Sequence, residues 1–211
     1  MARMRRIVMF NRVTADGYFA GPDGNLDWVV PDVELDRSAA AAIQRSDTDT
    51  DTATILFGRR TYQQFEAFWP HALDGSSTAA NPHDADGPSK EMRAMAVMLN
   101  EATKLVFSRT LKEVTWKNSH LLHELDPREV QAMKRQPGRD MLVFGSGSIV
   151  SQLTQHGLID EYQFVVNPVL LGSGQPLLSS VSTSVRLDLL EAREFSSGNV
   201  LLRYARSRPA I

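Results

Sequence analysis

The sequence contains no cysteine, which removes disulfides, thiolate nucleophiles and thiolate metal sites together. It has no apolar run approaching the ~18 residues that a membrane span needs. A formal net charge of −2 leaves no broad basic field, which argues against nucleic acid or an anionic membrane as the main partner. The basic start, Met1-Ala2-Arg3-Met4-Arg5-Arg6, leads into a strand containing the polar pair Asn11-Arg12, not into the apolar core of a signal peptide. A cytoplasmic location is the default expectation. His71, His83, His120, His123 and His156 show no metal-ligand spacing, and no His/Asp pairing near Ser146 or Ser148 suggests acyl transfer. Neither an internal repeat nor a linker divides the chain.

What is present suits one α/β domain. The chain has 211 residues, 42% of them hydrophobic and 23% charged. Strands are predicted over Ile7–Val13, Ala53–Phe57, Lys104–Phe107, Val114–Leu122, Met141–Phe144 and Glu161–Val166. Helices are predicted over Asp32–Arg45, Arg59–Ala67, Ser89–Ala102, Asp126–Arg135 and Ser148–Gln155. Val185–Phe195 and Val200–Ala205 read as a final hairpin around Ser197-Gly198-Asn199. The alternation implies a mostly parallel central sheet with helices on both faces and an antiparallel C-terminal hairpin. Residues 71–88 are rich in Ala, Asp, Ser, Pro and Gly without apolar periodicity, and read as a long, mobile surface loop. The Met92, Met95, Ala96, Leu99 stripe reads as core packing.

Chemistry concentrates where strands turn into helices. In Phe144-Gly145-Ser146-Gly147-Ser148-Ile149 a buried strand ends in glycines and a helix begins. Two readings fit: a phosphate cradle of backbone N–H groups with the helix dipole behind it, or an ordinary turn with a serine cap. It is not a Rossmann fingerprint, because Val150 occupies the third glycine position. In Phe57-Gly58-Arg59-Arg60-Thr61-Tyr62 two arginines open a helix, against its macrodipole. Cations belong there when an anion is bound, and arginine forks suit phosphate oxygens, including the 2′-phosphate that separates NADPH from NADH. A solvated arginine pair is the bland alternative. Phe107-Ser108-Arg109 ends a third strand in a hydroxyl and a cation, and α/β sheets bind ligands at such carboxyl ends.

With Val13-Thr14-Ala15-Asp16-Gly17-Tyr18-Phe19-Ala20 after the first strand, and Asp160-Glu161 leading into Asn167-Pro168-Val169-Leu170-Leu171-Gly172, these segments have a familiar order. The chain resembles the dihydrofolate reductase-like family over nearly its whole length, and most closely the reductase domain of the riboflavin-biosynthesis deaminase–reductases. The resemblance implies NADPH as cofactor. Its phosphates would lie on Gly58, Arg59 and Thr61, with Arg60 of the arginine pair as a further cofactor contact, and its adenosine and 2′-phosphate by Ser108 and Arg109. Its pyrophosphate would lie on Gly145, Ser146, Gly147, Ser148 and Ile149. The loop from Asp16 to Trp28 would cover nicotinamide and substrate, with Trp28 in contact. The substrate implied is a small heterocycle such as a pyrimidine or pteridine. Hydride transfer needs a proton source, for which Asp16, Asp27 and Asp32 qualify by position, although Asp32 reads equally as a helix cap and the others as turn formers. Relatives of this kind commonly pair, so a homodimer is implied, with Tyr162 to Leu178 as its candidate interface. The competing reading is an NADP(H)-binding protein without turnover, used for sensing or partner binding.

Overall fold

Short apolar runs closed by turn residues build an eight-stranded sheet in a computed structural model that describes residues 4–35, 37–38, 53–73 and 90–207. The strands are β1 (Ile7–Thr14), β3 (Thr54–Gly58), β4 (Thr103–Phe107), β5 (Ser119–Leu122), β6 (Met141–Phe144), β7 (Glu161–Asn167), β9 (Leu187–Glu194) and β10 (Val200–Arg206). Their order is β5-β4-β3-β6-β1-β7-β10-β9. All neighbours from β5 to β7 pair in parallel; β10 runs antiparallel to β7 and β9. Two short segments that periodicity does not reveal, β2 (Tyr18–Ala20) and β8 (Gln175–Pro176), pair as a separate ribbon.

Among the described residues four helices can be given full ranges: α1 (Arg59–Phe68), α2 (Lys90–Glu101), α3 (Pro127–Arg135) and α4 (Gly147–Gln155). The core divides across the sheet. Ile7, Met9, Leu56, Met141 and Val143 pack with Val130 of α3 and Ile149, Val150 and Leu153 of α4. Val8, Ile55, Phe57, Leu142 and Phe144 pack with Tyr62 of α1 and Leu99 of α2 on the other face. Central strands are therefore buried on both sides, as parallel sheets require. The expected α/β architecture, with its parallel sheet and antiparallel C-terminal hairpin, is the one found.

Some boundaries differ from expectation for physical reasons. The strand expected over 114–122 is regular only from Ser119. Upstream, the Thr115 and Trp116 N–H groups donate to the Glu66 carboxylate and are lost to the ladder. Helix α4 starts at Gly147, with Ser146 and not Ser148 at its N-cap. The helix expected over 32–45 shows its capped start, where Asp32 accepts from the Leu35 N–H at 2.8 Å, but most of it lies outside the described residues. So does most of the loop expected over 71–88, of which only His71, the last residue of a 3-10 turn over Trp69–His71, and the two residues after it are described. Among the described residues no helix is long and apolar enough to cross a membrane.

Candidate cofactor and substrate cavity

The topology itself marks a ligand position. Strands β3 and β6 are neighbours, yet α1 leads from β3 towards β4 on one side, and α4 leads from β6 to β7 on the other. Helices departing in opposite directions open a crevice at the carboxyl ends of the two strands. There, a cavity of about 550 Å³ is lined by the ends of β1, β3, β4 and β6, the first turns of α1 and α4, and the β2–β8 ribbon.

The two helix starts differ from an ordinary one. Helix α3 is capped by Asp126, carries Glu129 in its first turn and ends in Lys134 and Arg135, as the dipole favours. Helices α1 and α4 have neither a side-chain cap nor an acid in the first turn, and α1 opens with Arg59 and Arg60. Both arginines are exposed at the cavity rim. Arg59 donates to Thr110 Oγ1 at 2.8 Å and Arg60 reaches Gln175 Oε1 at 3.5 Å; neither is paired with a carboxylate among the described residues.

The two turns interlock. Ser146 is a non-glycine residue in the left-handed region, with φ 60°, and its buried Oγ accepts from the Gly58 N–H at 2.7 Å. Gly145 has φ +56°, and a Cβ there would stand 3.0 Å from Thr61 Oγ1. A Cβ on Gly147 would stand 2.9 Å from the Phe19 ring, and one on Gly58 would stand 3.2 Å from Ser146 Oγ. Glycine is thus what lets these turns pack directly against the Ser146, Thr61 and Phe19 side chains.

Of the residues singled out in the sequence, Gly58, Arg59, Arg60, Thr61, Gly145, Ser146, Gly147 and Ser148 line this one cavity. Ile149 is buried beneath it in the core. Ser108 is buried, with its Oγ accepting from the Leu111 N–H at 2.9 Å, and Arg109 is exposed and paired with Glu124 at 3.0 Å. Neither lines the cavity, although their neighbour Phe107 does.

The three acids stand elsewhere. Asp16 accepts from Thr14 Oγ1 at 2.6 Å and from the N–H groups of Gly172 at 2.7 Å and Leu171 at 3.0 Å, tying the β1 loop to the loop after β7. Those bonds, Thr14 first, hold its carboxyl below the usual range. Burial alone would raise the Asp32 carboxyl, but bonds from Ser197 Oγ and the Leu35 N–H, with the Arg12 charge nearby, bring it down. Asp27 is exposed and bonds to no described residue. Trp28 is buried behind the segment from which Leu26 and Val29 reach the cavity, and its Nε1 has no partner. Among the described residues no group of three or more His, Cys, Asp or Glu is close enough to hold a metal.

Sequence reasoning did not single out Phe10, Arg12 and Phe65 for this cavity. The signal was present in one place, a charged residue inside a strand that becomes central in the sheet.

Comparison with known proteins agrees with this geometry. Residues 5–201 match the RibD C-terminal domain family, and the chain belongs to it. The uncharacterized protein YyaP of Bacillus subtilis (strain 168) is 28% identical over 202 residues, 96% of this chain and 95% of that protein. A putative riboflavin biosynthesis protein from Shewanella sp. PV-4 superposes with a TM-score of 0.68 at 23% identity, over 99% of this chain and 100% of its own. Dihydrofolate reductase from Enterococcus faecalis, solved with NADP(H), superposes with a TM-score of 0.59 at 12% identity, over 99% of this chain and 100% of its own. The chain shares its fold with both of these structures.

Proposed function

We propose that this chain is an NADPH-dependent reductase delivering hydride to a small heterocyclic substrate. It would be of the riboflavin-pathway pyrimidine reductase (5-amino-6-(5-phosphoribosylamino)uracil reductase-like) or dihydrofolate reductase-like type. One observation carries the reading: two uncapped helix starts converge on one cavity, and two arginines without carboxylate partners stand in the first turn of α1. Repelled by their own helix, those arginines suit an incoming anion.

The residues present fit a dinucleotide phosphate. Gly58, Gly145 and Gly147 place no side chain of their own in the cavity lining, and the unbonded N–H groups that any helix start presents belong here to α1 and α4, whose first residues line it. Because Ser146 Oγ accepts from Gly58, its own proton is left to donate to a phosphate oxygen. Arg59 and Arg60 would take the 2′-phosphate, and Ser108 and Arg109 would border the adenosine. When bound, NADPH supplies the hydride. Phe10, Phe19, Phe65 and Phe144 exclude water around the acceptor, and Trp28 anchors the segment carrying Leu26 and Val29.

No carboxylate or imidazole lines the cavity among the described residues, so the balancing proton comes from water. The same observation favours the second reading, an NADP(H)-binding protein without turnover. Titration with NADPH and NADH, followed by cofactor fluorescence and melting temperature, tests both. Tighter binding of NADPH is expected, and no response to it would overturn both readings. Binding without NADPH oxidation across a panel of pterins, pyrimidines and quinones would leave the second.

A further inference from the structure

The alternation of β1 puts Ile7, Met9, Asn11 and Val13 on the face of the sheet that packs against α3 and α4. Asn11 is the polar member of that row, and it is 4% exposed. It pairs with Phe164 of β7 and stands one residue beyond the last β1–β6 pair, Phe10 with Phe144. A strand flanked in this way is closed along both edges, and Asn11 meets open space at the cavity, which it lines. Phe19 and Phe107 line the cavity from the same side of the sheet.

Other buried amides are committed within the fold. Asn167 accepts from the Val30 N–H at 2.9 Å and donates to the Val165 carbonyl at 3.1 Å. Asn199 donates to the Val30 carbonyl at 3.1 Å and to Ser197 Oγ at 2.9 Å, and Gln163 donates to Glu161 at 2.7 Å. The Asn11 side chain makes one contact, from Nδ2 to Met9 Sδ at 3.1 Å, and a thioether is a weak acceptor. Its Oδ1 accepts from no described residue. Among the described residues, the unpartnered side-chain atoms sealed from solvent are Trp28 Nε1, Ser119 Oγ and Asn199 Oδ1. Asn11 Oδ1 is not one of them, so it is open, and the opening is the cavity.

Resting on the cofactor reading above, we propose that Asn11 is a specificity-determining residue of the cavity and pairs with a planar amide, an N–H beside a C=O. With one Nδ2 hydrogen on Met9, the other hydrogen and Oδ1 form a donor–acceptor edge that such an amide matches in both halves. A ring edge with acceptors alone leaves Oδ1 unpaired, and one with donors alone leaves the Nδ2 hydrogen unpaired, at the full desolvation cost of that group. Two molecules in this cavity can supply the edge: a lactam ring of the substrate, or the carboxamide on the cofactor's nicotinamide.

Calorimetric titration with two matched pairs of ligands tests this and separates the sources. In the first arm the NADP⁺-loaded protein receives quinolin-2(1H)-one or coumarin, which share a shape but differ in a ring N–H against a ring oxygen. In the second arm the free protein receives NADP⁺ or its 3-acetylpyridine analogue, in which a methyl ketone replaces the carboxamide. The amide-bearing member of one pair should bind about tenfold tighter, the first pair assigning the edge to the substrate and the second to the cofactor. Asn11→Leu, close in shape, should erase that preference. Asn11→Asp offers acceptors alone and should shift the first site towards 2-aminoquinoline, whose protonated edge only donates, a change that a merely structural role would not produce. Absence of a preference in both arms, or of binding at millimolar concentration in both, overturns the proposal without any variant. A preference that survives Asn11→Leu also overturns it and assigns the edge to Gln64 or Gln175, the other side-chain amides of the lining. If neither NADP⁺ nor NADPH binds, the cofactor reading falls alone, and the first pair titrated onto the ligand-free protein still decides the role of Asn11.

Discussion

Replacing Gly145 with alanine probes the interlock between the two turns. The residue has φ +56°, so an alanine there costs about 1–2 kcal/mol for the left-handed backbone alone. The added Cβ would also stand 3.0 Å from Thr61 Oγ1 and 3.1 Å from Thr61 Cγ2. Thr61 is buried, so relief must come from moving α1 or β6, an overpacking cost of about 1–3 kcal/mol. The sum is about 2–5 kcal/mol, and for a domain of this size the melting temperature falls by roughly 2–4 °C per kcal/mol. A double-mutant cycle separates the parts. With Thr61→Ala the crowding disappears and only the backbone cost remains, so Gly145→Ala should then cost about 1–2 kcal/mol. Urea denaturation of the four proteins reads the energies, and NADPH fluorescence titration reads whether the turns have been forced apart. If Gly145→Ala costs the same whether or not Thr61→Ala is also present, the interlock is refuted.

Arg59→Ala should weaken NADPH by about 1.5–3 kcal/mol and NADH by much less, whereas Arg109→Ala, exposed and already paired with Glu124, should lose less. Equal losses for both cofactors would mean that Arg59 does not read the 2′-phosphate. Lys104 is fully buried; it donates to the Leu99 and Ala102 carbonyls at 2.7 Å and stands 4.4 Å from the Trp116 ring, and burial pushes its ammonium down to about 8. Between about 8 and its ordinary value of 10.5 the unfolded chain binds more protons, so stability should rise with pH across that window, and Lys104→Met should flatten the rise. Glu161 is buried against Arg203, at 2.8 Å, and Arg6, at 3.0 Å. Glu161→Ala should cost about 1.5–3 kcal/mol in urea denaturation by removing its charged hydrogen bonds to two cations that keep Asp140 and Glu191 as partners, and a loss below about 0.5 kcal/mol would show that those remaining acids suffice.

Strands and helices were legible where local pattern and tertiary demand agree. Met141–Phe144 is an apolar run with a glycine after it, and any α/β sheet would bury it on both faces. Asp126 before Pro127 is a helix start that needs no neighbour to explain it. Legibility failed where a distant side chain decides. Residues 114–118 have strand composition, but Glu66, about fifty positions away, takes the Thr115 and Trp116 amides. The β2–β8 ribbon joins Tyr18–Ala20 to Gln175–Pro176, and pieces this short carry no periodicity to recognise.

The candidate site divides along the same line. Glycine, serine and arginine at a strand-to-helix turn are informative by themselves, because their geometry is set within five residues. That is why Gly58 to Thr61 and Gly145 to Ser148 could be singled out before the topology made β3 and β6 neighbours. Acid positions were less informative, since Asp caps and turns serve the backbone as readily as they serve chemistry; Asp16 and Asp32 each hold backbone N–H groups. Arg12 is the opposite case. In the chain it is one polar residue in a run of β-formers, and nothing local says which face it occupies or what lies there. Only the placement of β1 between β6 and β7 brings that residue into the lining of the cavity, together with Phe10 and Phe144. The glycine turns of the cavity are therefore written in local sequence, while its other walls are written in strand order, which is why the turns were legible and the rest of the lining was not.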